Sequence, residues 1–170
     1  RCGPAAGRGA DRLTGSSGEM DELVHQERLS PNFDERNAPV EIVVLHYTEM
    51  LGPDVAIERM CDPQTKVSAH YIISEAGEVT RLVPEDKRAW HAGISYWRGE
   101  ADVNAVSIGI ELDHPGHLFG YRAFADAQIA ALASETATTD STCSATLEAE
   151  DGQAAATISA AGPGPVAYTV

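Results

Sequence analysis

Two short runs of this chain are apolar almost without interruption, yet each carries one ionisable group. Residues 42–47 read Ile-Val-Val-Leu-His-Tyr and residues 106–112 read Val-Ser-Ile-Gly-Ile-Glu-Leu. A strand with one wet face alternates apolar and polar residues, whereas a strand covered on both faces reads as a continuous apolar run. Both segments are therefore interior strands of an α/β unit. A charge buried in such a run costs several kcal/mol (about 2–7 for a polar group alone) unless it is paired, protonated or working. His46 and Glu111 stand out for that reason. Two apolar strands that each deliver one catalytically useful group suggest a hydrolytic site, built around a metal.

The folded unit extends from about residue 30 to residue 133. Residues 31–34, Pro-Asn-Phe-Asp, form a turn. Residues 54–60 have helical spacing that Pro63 ends, and residues 69–73 read as a further strand. Glu75-Ala76-Gly77-Glu78 turns the chain into a strand over 79–83. A helix begins at 125–133 with Ile129 and Leu132 on one face. With Met20 as a natural start, the domain is expected to span residues 20–133.

The two ends differ in character. Residues 1–19, rich in Gly, Ala, Arg and Ser, read as a disordered leader. From residue 123 to residue 170 there is no Lys or Arg, and Ala, Thr, Ser and acidic residues dominate. Residues 134–170 are therefore expected to be a low-complexity, disordered tail, into which the last helix dissolves.

A formal charge of −14, from 26 acidic against 12 basic residues, argues against a nucleic-acid or anionic-membrane surface. Cys2, Cys61 and Cys143 lie far apart, a count and spacing that describe neither a disulfide framework nor a zinc ribbon. No apolar run approaches the roughly 20 residues of a membrane span, and no secretory signal is visible.

Other histidines have plainer readings. His46 alone suits a structural histidine as well as a ligand. His91 sits between Trp90 and Ala92-Gly93, where glycine allows close approach to a ligand, although a surface histidine beside an aromatic reads the same way. His70 is expected to pack in its strand, and His25 to lie in a polar region. His114 and His117 flank Pro115-Gly116 in what reads as a solvated loop, with a spacing that could suit a metal.

Taken together, five blocks resemble the zinc-dependent N-acetylmuramoyl-L-alanine amidases of the type 2 amidase family, whose fold is shared with peptidoglycan-recognition proteins. They are Val44-Leu45-His46-Tyr47-Thr48, Val67-Ser68-Ala69-His70-Tyr71, Arg88-Ala89-Trp90-His91-Ala92-Gly93, Asn104, and Ser107-Ile108-Gly109-Ile110-Glu111-Leu112. The resemblance implies a mixed central β-sheet flanked by helices, and a zinc site in an open groove. It makes His46 a zinc ligand and Glu111 the catalytic carboxylate, with Trp90, His91 and Asn104 on the substrate side. It implies bacterial hydrolysis of the amide between N-acetylmuramic acid and L-alanine in peptidoglycan or muropeptides, by a monomer. A cytoplasmic role in wall recycling is favoured, with the periplasm or cell envelope as the alternative.

One part of the family pattern is missing. The further ligands and a lysine come, in the family, from a C-terminal Gly-His-Ser-Asp segment and a Lys-x-Asp-Pro-Gly stretch, and this chain has neither. No histidine follows His117 and no lysine follows Lys87. Catalytic zinc needs three protein ligands, so the set is incomplete as written. Regrouping the codons of residues 142–147 by one base permits Val-Leu-Gly-His-Ser, which suggests a shifted reading frame over the tail. The competing expectations are a muropeptide-binding module that keeps the groove without the metal, or a non-functional fragment.

Overall fold

The computed structural model describes residues 24–139 and the backbone at 143–150, 153–160 and 168–169, with side chains up to residue 134. The leader expected over residues 1–19 lies outside the described residues.

In chain order the elements are β1 (Gln26–Glu27), β2 (Phe33–Glu35), β3 (Ile42–Tyr47), α1 (Pro53–Cys61), β4 (Tyr71–Ile73), β5 (Val79–Arg81) and β6 (Lys87–Ala89). A 3-10 turn (Val103–Val106), β7 (Ser107–Leu112), α2 (Asp126–Thr139), β8 (Cys143–Glu150), β9 (Gln153–Ala160) and β10 (Tyr168–Thr169) follow. The main sheet is mixed, with six strands in the order β1-β5-β4-β7-β3-β10. β7 lies between β4 and β3, parallel to both, and β4 is antiparallel to β5. The two apolar runs are therefore adjacent interior strands, as their composition requires.

Each face of that sheet has its own cover. Val43, Leu45, Tyr71, Ile73, Val79, Ile108, Ile110 and Leu112 point one way and pack with Leu132 of α2. On the opposite face, Ile72 packs with Ala56, Ile57 and Met60 of α1, while Ile42 and Val44 pack with Val103 and the loop residues Ala92 and Trp97. α1 starts with Pro53 at its first turn, where proline's fixed φ and missing N–H cost nothing.

A small antiparallel pair of β2 and β6, not anticipated from the sequence, carries cross-strand ion pairs Asp34–Arg88 and Glu35–Lys87. Regular backbone also continues past residue 133, where the sequence suggests none. α2 runs to Thr139, β8 and β9 pair antiparallel, and β10 lies parallel to β3. The physical reason is local. Two small-residue runs containing β-branched Thr and Ile flank Asp151-Gly152, a pair well suited to a two-residue hairpin. Among the described residues, no helix is long and apolar enough to cross a membrane.

Candidate functional site

The face of β3 and β7 that α1 only partly covers holds the site. His46 and Glu111 are register partners across the β3–β7 pair, so their side chains leave the sheet side by side. Both are half-buried near the C-terminal ends of parallel strands, the end at which ligands bind in open α/β sheets.

Their surroundings shift both groups toward neutrality. Burial raises the Glu111 carboxyl to about 7, and its Oε2 is buried with no hydrogen-bond partner among the described residues. Burial likewise lowers His46 to about 4. Desolvation disfavours whichever form is charged, which moves an acid up and a base down.

His91 lies against this pair. Its ring packs over Gly109, where an added Cβ would meet the imidazole at 2.4 Å; the absence of a side chain in β7 makes room for it. His91 Nδ1 is 3.0 Å from His46 Nε2, and His91 Nε2 is 3.0 Å from Ser107 Oγ. Burial, followed by the neighbouring His46, holds His91 well below its ordinary value. Asn104 is 6% exposed, and its Oδ1 accepts from the backbone N–H groups of His91 and Ala92. His91 and Asn104, expected on the substrate side, are thus engaged with the protein's own groups and fix the turn. Trp90 is half-buried, and its backbone N–H donates to Ser68 Oγ.

The loop between β6 and the 3-10 turn is closed by Arg88, which donates from Nε and Nη2 to the two oxygens of Asp102 at 3.1 and 2.9 Å. The Val67–Tyr71 block supports the same region. His70 Nδ1 accepts from the Gly109 N–H at 2.9 Å, and its Nε2 lies 2.9 Å from Arg36 Nη2 and 3.2 Å from the Lys87 carbonyl oxygen. His70 packs as expected, fully buried, and burial lowers it to about 4.

His114 departs from its solvated-loop reading. It is 1% exposed, its Nδ1 accepts from the Gly116 N–H, and its Nε2 donates to the Arg122 carbonyl. Both nitrogens are spent within their own loop, leaving none for a metal. His117 is exposed and stacks on Tyr121. Ser107 was not singled out from the sequence; the signal for it was a hydroxyl opening an otherwise apolar strand.

The zinc set implied by the resemblance can be tested against these positions. Among the described residues, no group of three or more His, Cys, Asp or Glu could hold a metal ion. His46 has one nitrogen committed to His91, and no histidine follows His117 in the sequence. The described residues therefore do not fit a catalytic zinc, which takes three protein ligands.

Comparison with known proteins places this geometry. The N-acetylmuramoyl-L-alanine amidase family model matches residues 36–147, which contain His46, His91 and Glu111. The chain is 38% identical over 138 residues to the 1,6-anhydro-N-acetylmuramyl-L-alanine amidase AmpD of Escherichia coli K12, covering 69% of this chain and 73% of that protein. It is similar to the crystal structure of a selenomethionine AmpD derivative, with a TM-score of 0.56, 33% identity, and coverage of 67% of this chain and 72% of that one. It is also similar to the E. coli amidase AmiD in complex with anhydro-N-acetylmuramic acid-L-Ala-D-γ-Glu-L-Lys, with a TM-score of 0.52 and 33% identity. That match covers 66% of this chain and 47% of AmiD. This chain belongs to the N-acetylmuramoyl-L-alanine amidase family.

Proposed function

We propose that this chain is an N-acetylmuramoyl-L-alanine amidase that hydrolyses the amide between the lactyl group of N-acetylmuramic acid and the first L-alanine of a muropeptide. The observation that carries the reading is Glu111. Its Oε2 is buried without a hydrogen-bond partner among the described residues, and it stands beside His46 on adjacent parallel strands within the matched region. A carboxyl raised to about 7 can accept a proton from an attacking water and return it to the departing amine near neutral pH. Trp90, on the loop beside the site, is the candidate for direct substrate contact. His91 and Asn104 serve the substrate side by holding that loop in place.

Zinc is the cofactor of this family, and His46 occupies a ligand position by resemblance. The setting we favour is cytoplasmic turnover of wall fragments, because the relative matched over 73% of its length is named for 1,6-anhydro sugars; the cell envelope is the alternative. We assign a monomer acting on a muropeptide, with neither a nucleic-acid nor a membrane partner.

The test is incubation of the full chain with N-acetylmuramyl-L-alanyl-D-isoglutamine and with an anhydromuramyl peptide, each with and without added zinc. Release of free peptide, by mass spectrometry, is expected from the wild-type chain and is lost in Glu111→Gln. The incomplete ligand set favours a second reading, a binding module without catalysis. Zinc-independent binding of either ligand with no peptide released selects it and overturns the first.

A further inference from the structure

Arg36 directly follows β2, and its guanidinium spreads over separate parts of the chain. Nε donates to the Glu85 carbonyl at 2.9 Å, between β5 and β6. Nη1 donates to the carbonyls of Ala105 at 2.7 Å and Asn104 at 3.5 Å, and Nη2 to that of Ser107 at 2.8 Å. These buried carbonyls have no other donor in reach of the local backbone. In the 3-10 turn, the Val103 carbonyl accepts from Ser107 Oγ and the Val106 carbonyl from the Glu41 N–H, which leaves those of Asn104 and Ala105 to Arg36. The Ser107 carbonyl faces the side of β7 where β4 has not yet begun. The first ladder bond on that side runs from the His70 N–H to the Gly109 carbonyl. A buried carbonyl without a donor costs about as much as a lost hydrogen bond. One planar fork fills both gaps.

Asn104 carries this bracing onward. Its backbone is held by Arg36, while its Oδ1 accepts from the N–H groups of His91 and Ala92 at 3.0 and 2.8 Å. We infer that Arg36 is a positioning residue that acts through Asn104 to set the backbone of the His91–Ala92 turn, and so the loop that carries Trp90. Lysine cannot replace it, because a single ammonium is a point charge that does not span carbonyls on several segments in one plane. The benefit to substrate binding rests on the amidase reading above. The bracing of the turn does not.

Amide hydrogen exchange of the full chain tests the bracing without any substrate. Arg36→Lys keeps the charge and should speed exchange of the His91 and Ala92 N–H groups about tenfold or more, with the interior amides of β3 unmoved. Asn104→Ala should speed the same two amides. The double variant should exchange no faster than Asn104→Ala alone, because one residue acts through the other. Unchanged exchange at residues 91 and 92 in a folded Arg36→Lys chain overturns the inference. So does full additivity in the double variant, or acceleration spread equally over β3 and β7, which marks a general loss of stability. Where Arg36→Lys does not fold, the wild-type chain decides. Its 15N spectra should resolve Arg36 Nη1 from Nη2, since bonds on both block rotation about Cζ–Nε, and a single averaged resonance overturns the bracing. With an anhydromuramyl peptide, Arg36→Lys should raise KM about tenfold with little change in kcat. An unchanged KM in a chain whose turn has loosened overturns the link to substrate. Absence of cleavage in every chain, with the exchange pattern intact, counts against the amidase reading alone.

Discussion

β3 and β7 each show two different chemistries on their two faces. Toward α2, Val43, Leu45, Ile108, Ile110 and Leu112 are at most 5% exposed and form a closed apolar cluster. Toward α1 and the loop after β6, the same strands present His46, Ser107, Gly109 and Glu111. One face is packed to remove water. The other interrupts its packing with a ring on a glycine and a carboxyl with one oxygen unpartnered among the described residues. The core and the candidate site thus occupy opposite sides of the same few residues, which makes the two separable by substitution.

The largest effect is expected on the closed face. Leu132 is fully buried at the centre of its cluster. Leu132→Ala removes buried methyl groups and leaves a cavity that the surrounding strands can only partly fill, at a cost of about 2–5 kcal/mol. Urea denaturation should show a lower midpoint with little change in slope. A change below about 1 kcal/mol would mean that α2 contributes little to the core and that the two faces are less distinct than described.

The open face should respond in the opposite direction. Glu111 ionises near 7 in the folded chain and near 4.5 when unfolded. Its protonated form is favoured by folding, so stability is lost as pH rises from the unfolded value through about 7. His46 and His70 are lowered from 6.5 to about 4, so stability is also lost as pH falls from 6.5 toward 4. Because two histidines act on the acid side against one carboxyl on the alkaline side, the melting temperature contributed by these groups should peak at about pH 7. Glu111→Gln removes the alkaline limb. It should stabilise the chain by up to roughly 3 kcal/mol at pH 8, with little effect at pH 4.5, while abolishing hydrolysis. Thermal melts of both chains across pH 4–8 measure this; parallel curves would show that Glu111 is solvated in the folded state.

Gly109→Ala probes the contact between the faces. The new Cβ would sit 2.4 Å from the His91 ring, too close unless the ring or the strand moves. Overpacking of this kind costs about 1–3 kcal/mol, and here it should also displace His91 from His46. The histidine side-chain resonances should shift in both rings. If they stay in place while the chain retains full stability, the glycine is not what seats His91.

Much of this was legible in the sequence because it depended on pattern. Uninterrupted apolar runs place β3 and β7 at the sheet interior, and a polar group inside such a run identifies His46 and Glu111 without further information. The five blocks together then carry the family. What was not legible depended on partners brought together from a distance. Nothing local marks Asn104 as the acceptor for two N–H groups in the His91 turn, or His114 as a buried pin for its loop. The short β2–β6 pair escaped notice because three residues give too little alternation to read. In the C-terminal stretch, low side-chain hydrophobicity outweighed the Asp-Gly turn signal at 151–152, and the backbone pairing there went unanticipated.

The smallest effects separate two ion pairs on neighbouring residues of β6. Lys87 meets Glu35, whose side chain is 82% exposed, whereas Arg88 grips Asp102 with two nitrogens and also meets Asp34. A single exposed pair gains little over solvated ions, because water screens the attraction and two long side chains lose freedom. Glu35→Ala should leave the melting temperature within error at any salt concentration. The planar guanidinium on Asp102 is a different case, since two parallel bonds hold one geometry and that geometry closes the loop carrying Trp90 and His91. Asp102→Asn should cost about 1 kcal/mol or less, partly abolished by 1 M salt, yet it should speed amide exchange across residues 90–100. A loop that exchanges at the same rate with and without Asp102 would show that Asn104 alone holds the turn.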